Sequence, residues 1–439
     1  MLRCKGLENM NYQETLLYLD SLNTFGIKLG LERITSLLKR MDQPQNRYKT
    51  IHVTGTNGKG STTNMLAGIL TQAKIKTGMY TSPHLVSYTE RMQIDGHQIR
   101  EADFANCISQ VKLCADQMVA DGNESPTQFE VLTAGAFLYF ATMKVEYAVI
   151  EVGLGGLLDS TNVIVPEVSV ITNVTFEHAD RCGGTLAGIA AHKAGIIKEG
   201  VPVVTAADGE TLQIIRETAH AKNSDIFVAG EDFSAAFIAF DGHKQKLAFS
   251  SRLLGASEEY FLRVLGKHQI ENSSLAIMTA LLIHNQDSRV TMEGIGHALD
   301  LATWAGRFEI MNQNNQKILV DGAHNLAGMK VLRSNLDSYF PAQERVILLG
   351  ILKDKDVDGM IETLIRPIDT VVVTEPSSDR AAMPDYIAKK IKSQHVEAYI
   401  DIPEALARAQ ELAGSNRLLC IAGSLYLIGE ARQLLLTEQ

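Results

Sequence analysis

The sequence predicts an α/β protein in two successive parts, each built around a largely parallel sheet. Three observations carry that expectation. Short β-branched runs alternate with helical stretches, the pattern of βαβ units. A strand-and-turn pattern interrupts the alternation between about Phe233 and Leu265, and the alternation then restarts. The length of 439 residues agrees with two domains.

In chain order, the N-terminal stretch reads as helical, with Leu16, Leu17, Leu19 and Leu22 as expected core contacts. Strands follow at Ile51 to Thr54, Lys76 to Tyr80, Tyr147 to Val152, Val168 to Thr172 and Val201 to Thr205. Met65, Leu66, Ile69, Leu70 and Ala73 recur at helical spacing, as expected of a helix lying on a sheet. Asp241-Gly242 marks a turn in the Phe233 to Leu265 stretch, which is expected to form a small antiparallel flank on the first part. A helix over about Glu271 to His284 precedes a boundary placed between Met292 and Thr303. Beyond it, Lys317 to Val320, Arg345 to Leu349, Thr370 to Thr374, Val396 to Ile400 and Arg417 to Ala422 read as strands. Ligands are expected in the cleft between the parts, beyond the carboxyl ends of strands.

A formal net charge of −10 argues against broad attraction to nucleic acid or an anionic membrane surface. Five scattered cysteines, Cys4, Cys107, Cys114, Cys182 and Cys420, with no close CxxC pair, read as free thiols of a reducing compartment. No run approaches the roughly 18 apolar residues of a membrane span, and Met1 to Asn9 carries charge too early for a secretory signal. The expected setting is cytoplasmic.

The strongest local signal is Ile51-His52-Val53-Thr54-Gly55-Thr56-Asn57-Gly58-Lys59-Gly60-Ser61-Thr62. It joins a strand, a glycine-rich turn and a helix start, which lets backbone N–H groups close around phosphate oxygens at the positive helix end. Lys59 would reach the terminal phosphates and Ser61 a metal. The strict phosphate-loop pattern is broken, because Val53 stands where its first glycine would be and Gly60 separates Lys59 from Ser61. Tyr147 to Gly156 then delivers one carboxylate, Glu151, at the end of an apolar strand. An unpaired buried carboxylate is costly, so a metal or basic partner is expected, and Glu151 is either a magnesium ligand or a capping or salt-bridged structural residue. His178 follows the Val168 strand, so it can converge with Glu151 on one sheet edge, although a lone histidine is more often structural. Lys193 sits on an expected helix and by itself reads as a solvated lysine.

Taken together these segments resemble the Mur ligase superfamily, and within it the folylpolyglutamate synthase and dihydrofolate synthase branch. The Gly60 form of the loop is that of the folate branch. Further matches are Thr81-Ser82-Pro83-His84-Leu85 with Glu90-Arg91, Phe129-Glu130, Glu151 to Gly156, Asp159 with Thr161-Asn162, and Gly266 to Gln269 with Asn272. Trp304 with Gly306-Arg307, Asp321 to Asn325, Lys353 to Asp356 and Ala422-Gly423-Ser424 complete the series, in order along the whole chain. The stretch before residue 50 leaves no room for a UDP-sugar domain, which favours the folate branch.

The resemblance implies a phosphate-loop ATPase domain over residues 1–295 and a smaller Rossmann-like ligase domain over 296–439. It implies that Gly55 to Thr62, Asn272, Arg307 and Asp321 meet ATP. Ser61, Glu151, His178 and Lys193 would hold two magnesium ions, Lys193 as a carbamate. Lys59, Lys193 and His324 would be catalytic, His324 contacting phosphate or glutamate. Ser82, Pro83, His84, Arg91 and Phe129 would line the folate site, with Arg91 either a substrate clamp or part of an ion pair near Glu90. Lys355 and Asp356 either face the cleft or cap the next helix. Leu157, Ser160, Glu177, His192 and Leu326 depart from the branch's commonest residues, which are Arg, Ala, Asp, Glu and Pro.

The implied reaction joins L-glutamate to dihydropteroate, to a reduced folate, or to both. It would pass through an acyl phosphate, with ATP and magnesium as cofactors and the chain working as a monomer on small molecules alone. The alternatives are a Mur-type ligase of another carboxylate and a nucleotide-binding regulator without catalysis.

Overall fold

The computed structural model describes residues 9–22, 28–177, 181–255 and 257–437. Its largest sheet has eight strands: β1 (Lys49–Thr54), β2 (Thr77–Tyr80), β3 (Met92–Ile94), β4 (His97–Gln98), β5 (Tyr147–Glu151), β6 (Val168–Ile171), β7 (Val203–Thr205) and β8 (Ile226–Val228). Their order is β4-β3-β2-β5-β1-β6-β7-β8. Every pairing from β2 to β8 is parallel, and β5 and β6 are buried at every residue, as expected of strands covered on both faces. An antiparallel flank is present and comes from β3 and β4, a short pair that follows the Ser82 to Arg91 loop.

The Phe233 to Leu265 stretch makes a separate sheet of β9 (Phe233–Phe240), β10 (Gln245–Ser251) and β11 (Ser257–Leu262), in the order β11-β10-β9. Asp241 closes the turn between the first two by accepting the His243 and Lys244 amides at 2.8 and 2.7 Å. The third sheet contains β12 (Glu309–Gln313), β13 (Gln316–Val320), β14 (Arg345–Leu349), β15 (Thr370–Val373), β16 (His395–Ala398) and β17 (Leu418–Ala422), in the order β12-β13-β17-β14-β15-β16. Only the β12–β13 pair is antiparallel. β12 has no counterpart in the sequence reading: its mixed run Glu309-Ile310-Met311-Asn312-Gln313 forms a mostly half-buried edge strand.

The described chain divides into two compact units. The first takes the residues up to Ile238 with Lys246–Phe261 and His268–Ala302, and the second takes Ala239–Gln245, Leu262–Lys267 and the residues from Thr303 on. In the first, Tyr80, Phe104, Phe137, Phe140 and Ile150 lie in one fully buried cluster, and Ile171, Ile189, Ala194 and Val203 in another. In the second, Leu265, Leu319, Leu332, Ile347, Val371 and Cys420 pack together.

Leu17 departs from expectation. In the Tyr12–Ser21 helix the buried face runs through Thr15 and Leu19 to Leu22, and Leu17 projects from the other side at 70% exposure, with Leu16 half-buried. The helix expected from Glu271 begins a turn earlier, at Lys267, and carries Gln269 and Asn272 inward. Asp356 takes the capping alternative, accepting the Gly359 amide at 3.0 Å to start the Val357–Leu364 helix. Cys107, Cys114, Cys182 and Cys420 are free thiols; Cys4 lies outside the described residues. Among the described residues no helix is long and apolar enough to cross a membrane.

Candidate active site

Strand β1 ends in the glycine-rich turn and the Lys59–Gln72 helix begins directly after it, with Gly58 at φ +83° as the junction residue. A Cβ on Gly58 would stand 2.1 Å from Asn272 Oδ1, and one on Gly55 would stand 1.8 Å from Thr172 Oγ1, so both glycines are required by close approach as well as by backbone angle. The turn is held from outside. Thr172 donates to the Asn57 carbonyl at 2.6 Å, Asn173 accepts the Asn57 amide at 2.9 Å, and the Thr56 amide donates to the Asn173 carbonyl at 2.8 Å. Lys59 folds back over its own loop, donating to the Gly55 and Thr56 carbonyls at 3.0 and 3.1 Å. The Thr62 amide donates to the Gly58 carbonyl at 2.9 Å as the helix starts. The loop is therefore held in place at a helix N-terminus, with Gly60 in the first turn, an arrangement that could receive an anion.

Ser61 is buried and accepts from Gln269 Nε2 at 3.1 Å, while Asn272 Nδ2 donates to Gln269 Oε1 at 2.9 Å. The Lys267–His284 helix thus presses two amides onto the phosphate loop. Asn272 lies in the first unit, against Gly58. Gln269 was not among the expected site residues, although its spacing of three from Asn272 on one helix was the available signal.

Glu151 ends β5 directly opposite Val53 of β1 and is 4% exposed. Its Oε2 accepts the Ser82 amide at 3.0 Å, which draws the Thr81 to Arg91 loop to the same point. The turn after Glu151 is tightly packed: a Cβ on Gly153 would sit 2.4 Å from the Phe129 ring, and one on Gly156 would sit 3.1 Å from Lys193 Cα. Phe129 and Lys193 therefore both flank the segment that follows Glu151. Lys193 lies near the end of the Leu186–Ala194 helix and is 6% exposed. Burial first, and then the neighbouring charge of Lys59, pull its amine down to about 8, against the opposing pull of Cys182 and Glu177. His178 lies outside the described residues.

This donor chemistry fits magnesium. A hydroxyl and a carboxylate are hard oxygen donors, as a carbamate on Lys193 would be, and an ammonium whose proton affinity is lowered by burial and a neighbouring cation is relieved when it becomes an anion. Among the described residues no group of three or more His, Cys, Asp or Glu could hold a metal; Ser61, Glu151 and Lys193, the last as a carbamate, are the described residues that would hold magnesium.

In the Ser82 to Arg91 loop, Ser82-Pro83 is a cis peptide. His84 Nδ1 accepts from Arg91 Nε at 2.8 Å and its ring lies 4.4 Å from that of Tyr88. Burial, followed by the Arg91 charge, lowers His84 to about 4, so it is neutral and its Nε2 carries the proton. Glu90 is spent on its own loop, accepting the Leu85, Val86 and Ser87 amides, and Arg91 goes to His84 and the Tyr88 face rather than to a carboxylate. The ion-pair alternative for Arg91 is thus not the observed contact.

The second unit groups Arg307, Asp321 and His324. Asp321 is half-buried; desolvation raises its carboxyl, and the Ala323 and Phe308 amides donating to it at 2.9 and 2.8 Å work the other way, as do Arg307 and His324. His324 Nδ1 bonds the Gly322 carbonyl at 2.8 Å, and Asn325 caps the Leu326–Tyr339 helix that follows. Leu157, where an arginine was the common residue, is 45% exposed and its amide donates to the His192 carbonyl at 2.7 Å, so its backbone anchors the Lys193 helix whatever its side chain.

Two domain patterns match the chain: the Mur ligase middle domain over residues 53–280 and the Mur ligase glutamate ligase domain over 306–425. The dihydrofolate synthase/folylpolyglutamate synthase of Bacillus subtilis is 32% identical over 439 aligned residues, covering 96% of this chain and 98% of that one. The crystal structure of folylpolyglutamate synthase from Thermotoga maritima superposes with a TM-score of 0.87 at 34% identity, covering 98% of this chain and 97% of that one. Folylpolyglutamate synthase of Mycobacterium tuberculosis, solved complexed with ADP and AMPPCP, does so at 0.82 and 30%, covering 97% and 99%. The glycine-rich loop, the carboxylate at the end of β5 and the buried lysine thus stand in a chain that matches these relatives from end to end, and the protein belongs to the Mur ligase family, in its folylpolyglutamate synthase/dihydrofolate synthase branch.

Proposed function

We propose that the protein is an ATP-dependent ligase that adds L-glutamate to dihydropteroate, to a reduced folate, or to both, releasing ADP and phosphate. The observation that carries it is the Gly55–Ser61 cradle set against Glu151 and Lys193, in a chain similar throughout to enzymes of both names. The Mycobacterium tuberculosis relative complexed with ADP and AMPPCP supports a nucleotide in this cradle.

Gly55, Thr56, Asn57, Gly58, Gly60 and Thr62 bind phosphate through backbone amides, and Asn272 borders the same nucleotide. Arg307 and Asp321 contact the remainder of ATP, and His324 a phosphate or the incoming glutamate. Ser61, Glu151, His178 and carbamylated Lys193 would hold magnesium, in two sites, which supplies positive charge to the phosphate oxygens. Lys59 leaves its carbonyl partners to neutralise charge on the γ-phosphate as the substrate carboxylate attacks it. The acyl phosphate so formed is attacked by the glutamate amine, and phosphate departs. Ser82, Pro83, His84, Arg91 and Phe129 seat the pterin-bearing substrate. The family matches at 53–280 and 306–425 support assigning ATP binding to residues 1–295 and glutamate ligation to 296–439.

The test is ADP release measured with dihydropteroate and tetrahydrofolate offered separately. Release should need both a pterin substrate and glutamate, and 18O in the substrate carboxylate should appear in inorganic phosphate. Release indifferent to glutamate would overturn ligation, and absence of label transfer would overturn the acyl phosphate.

A further inference from the structure

One buried polar chain in the first unit is not explained by any group that would touch nucleotide or substrate. His52, Thr161 and Asp159 are 0%, 0% and 3% exposed. His52 Nε2 lies 2.9 Å from Thr161 Oγ1, Thr161 Oγ1 donates to Asp159 Oδ1 at 2.5 Å, and Asp159 Oδ2 accepts the Leu154 amide at 2.8 Å. The Thr161 amide also donates to Oδ1, at 2.9 Å, and Gly153 contributes a further backbone bond.

The proton positions follow from this pattern. Thr161 has one hydroxyl proton and gives it to Asp159, so its oxygen can only accept from His52. His52 therefore carries its proton on Nε2. Its Nδ1, which has no partner, is a bare lone pair, the less costly of the two orphan states for a buried ring. Burial and then the Lys198 charge hold the imidazole down to about 3, so it stays neutral at any pH at which the protein would work.

The chain of bonds ends at the site. Asp159 grips the start of the Gly153–Gly156 turn that follows Glu151, while Thr54, two residues after His52 on β1, donates to the Gly155 carbonyl at 2.6 Å. Asn162, next to Thr161, donates to the Leu157 and Gly195 carbonyls at 2.9 and 3.1 Å, and so ties the same segment to the end of the Lys193 helix. β1 itself pairs with the Glu151 strand through His52 opposite Ile150.

We propose that His52 is a positioning residue for the reaction: through Thr161 and Asp159 it sets the turn after Glu151 and the end of the Lys193 helix, and so the placing of both oxygen donors relative to the phosphate loop. The inference rests on the reading of Glu151 and Lys193 as magnesium-holding groups. Supports of this kind are worth about 10–100-fold in metal affinity or activity.

His52→Gln keeps a donor at the reach of Nε2, His52→Leu removes it at similar volume, and Thr161→Val breaks the middle link. Three readouts apply. The first is the tautomer of His52 in the wild-type protein by 15N NMR, expected Nε2–H. The second is hydrogen exchange of the peptide spanning Leu154 and Gly155, expected to speed about tenfold or more in His52→Leu and to return toward wild type in His52→Gln. The third is the magnesium concentration that half-saturates ADP binding, expected to rise about tenfold in His52→Leu and in Thr161→Val, with no further rise in the double variant. An Nδ1–H tautomer, unchanged exchange at Leu154, additive losses in the double variant, or a glutamine no better than leucine would each overturn the relay. If wild-type ADP binding proves indifferent to magnesium, the metal reading falls, and the tautomer and exchange measurements still decide whether His52 holds the turn.

Discussion

In the proposed reaction Lys193 is a residue unfavourable for folding and needed for chemistry. A protonated amine held down to about 8 by burial is a strained state at neutral pH, and carbamylation, which needs the uncharged amine, is correspondingly easier. Replacing Lys193 with methionine should therefore abolish ligation while raising the stability of the metal-free protein by on the order of 1–3 kcal/mol at pH 7. Urea denaturation of both proteins checks this, and a destabilised methionine variant would contradict it. The pH dependence has a definite sign. Between about pH 8 and the ordinary lysine range the unfolded chain binds the proton that the folded chain has lost, so this group adds stability as pH rises through that window and costs stability below it. The wild-type advantage of the methionine variant should accordingly shrink as pH is raised from 7 to 10. Glu151 and the Gly55–Ser61 loop were legible in the sequence because their chemistry is local: glycines, a lysine and a serine on a strand-to-helix turn, and one acid at the end of an apolar strand. The buried character of Lys193 was not, since nothing adjacent to it in sequence distinguishes it from a solvated helix lysine. His52 was equally silent, because its partner Thr161 is 109 residues away and only the parallel pairing of β1 with β5 and β6 brings the two together.

The Gln128–Thr142 helix depends on a buried carboxylate. Glu130 closes a capping box with Thr127, accepting its amide and hydroxyl at 2.7 and 2.9 Å, and receives Arg33 Nε at 3.1 Å with its own side chain 1% exposed. The helix starts one residue before Phe129, so this cap also sets the ring that lies against Gly153. Glu130→Ala leaves Arg33 without its buried partner and the Thr127 amide and hydroxyl without their acceptor, and should cost about 3–5 kcal/mol in denaturant unfolding. Thr127→Ala should cost about 1 kcal/mol. The Phe129-Glu130 pair was noted in the sequence as a family match, but its physical meaning, a capping acid beside a site ring, came from the fold. The parallel strands named in the sequence agree with the structure to within a residue or two, because strands buried on both faces are continuous apolar runs, whereas the three-residue strands β3 and β8 are too short to stand out and were missed. The edge strands β4 and β12 give no such signal.

The division of the chain into units was only partly legible, because the boundary near Ala302 is one of several. The backbone passes from one compact unit to the other after Ile238, Gln245, Phe261, Lys267 and Ala302. The two early excursions into the second unit are structural members of it: Phe240 lies edge-on to Tyr339 with ring centroids 4.9 Å apart, Tyr339 donates to Gln245 Oε1 at 2.7 Å, and Gln245 Nε2 donates to the Val264 carbonyl at 2.7 Å. A fragment of residues 303–439 lacks these pieces. It should unfold at lower denaturant than the same region in the intact chain and bind a hydrophobic dye, and a fragment as stable as the intact region would show the excursions to be dispensable. The order of synthesis gives the same feature a kinetic meaning. Phe240 and Leu265 leave the ribosome roughly 100 and 75 residues before Tyr339, so at elongation rates of about 5–20 residues per second they wait some seconds without that partner. During that interval Phe240 and Leu265 are apolar side chains of a unit not yet made, the state in which nascent chains are open to aggregation and to chaperones.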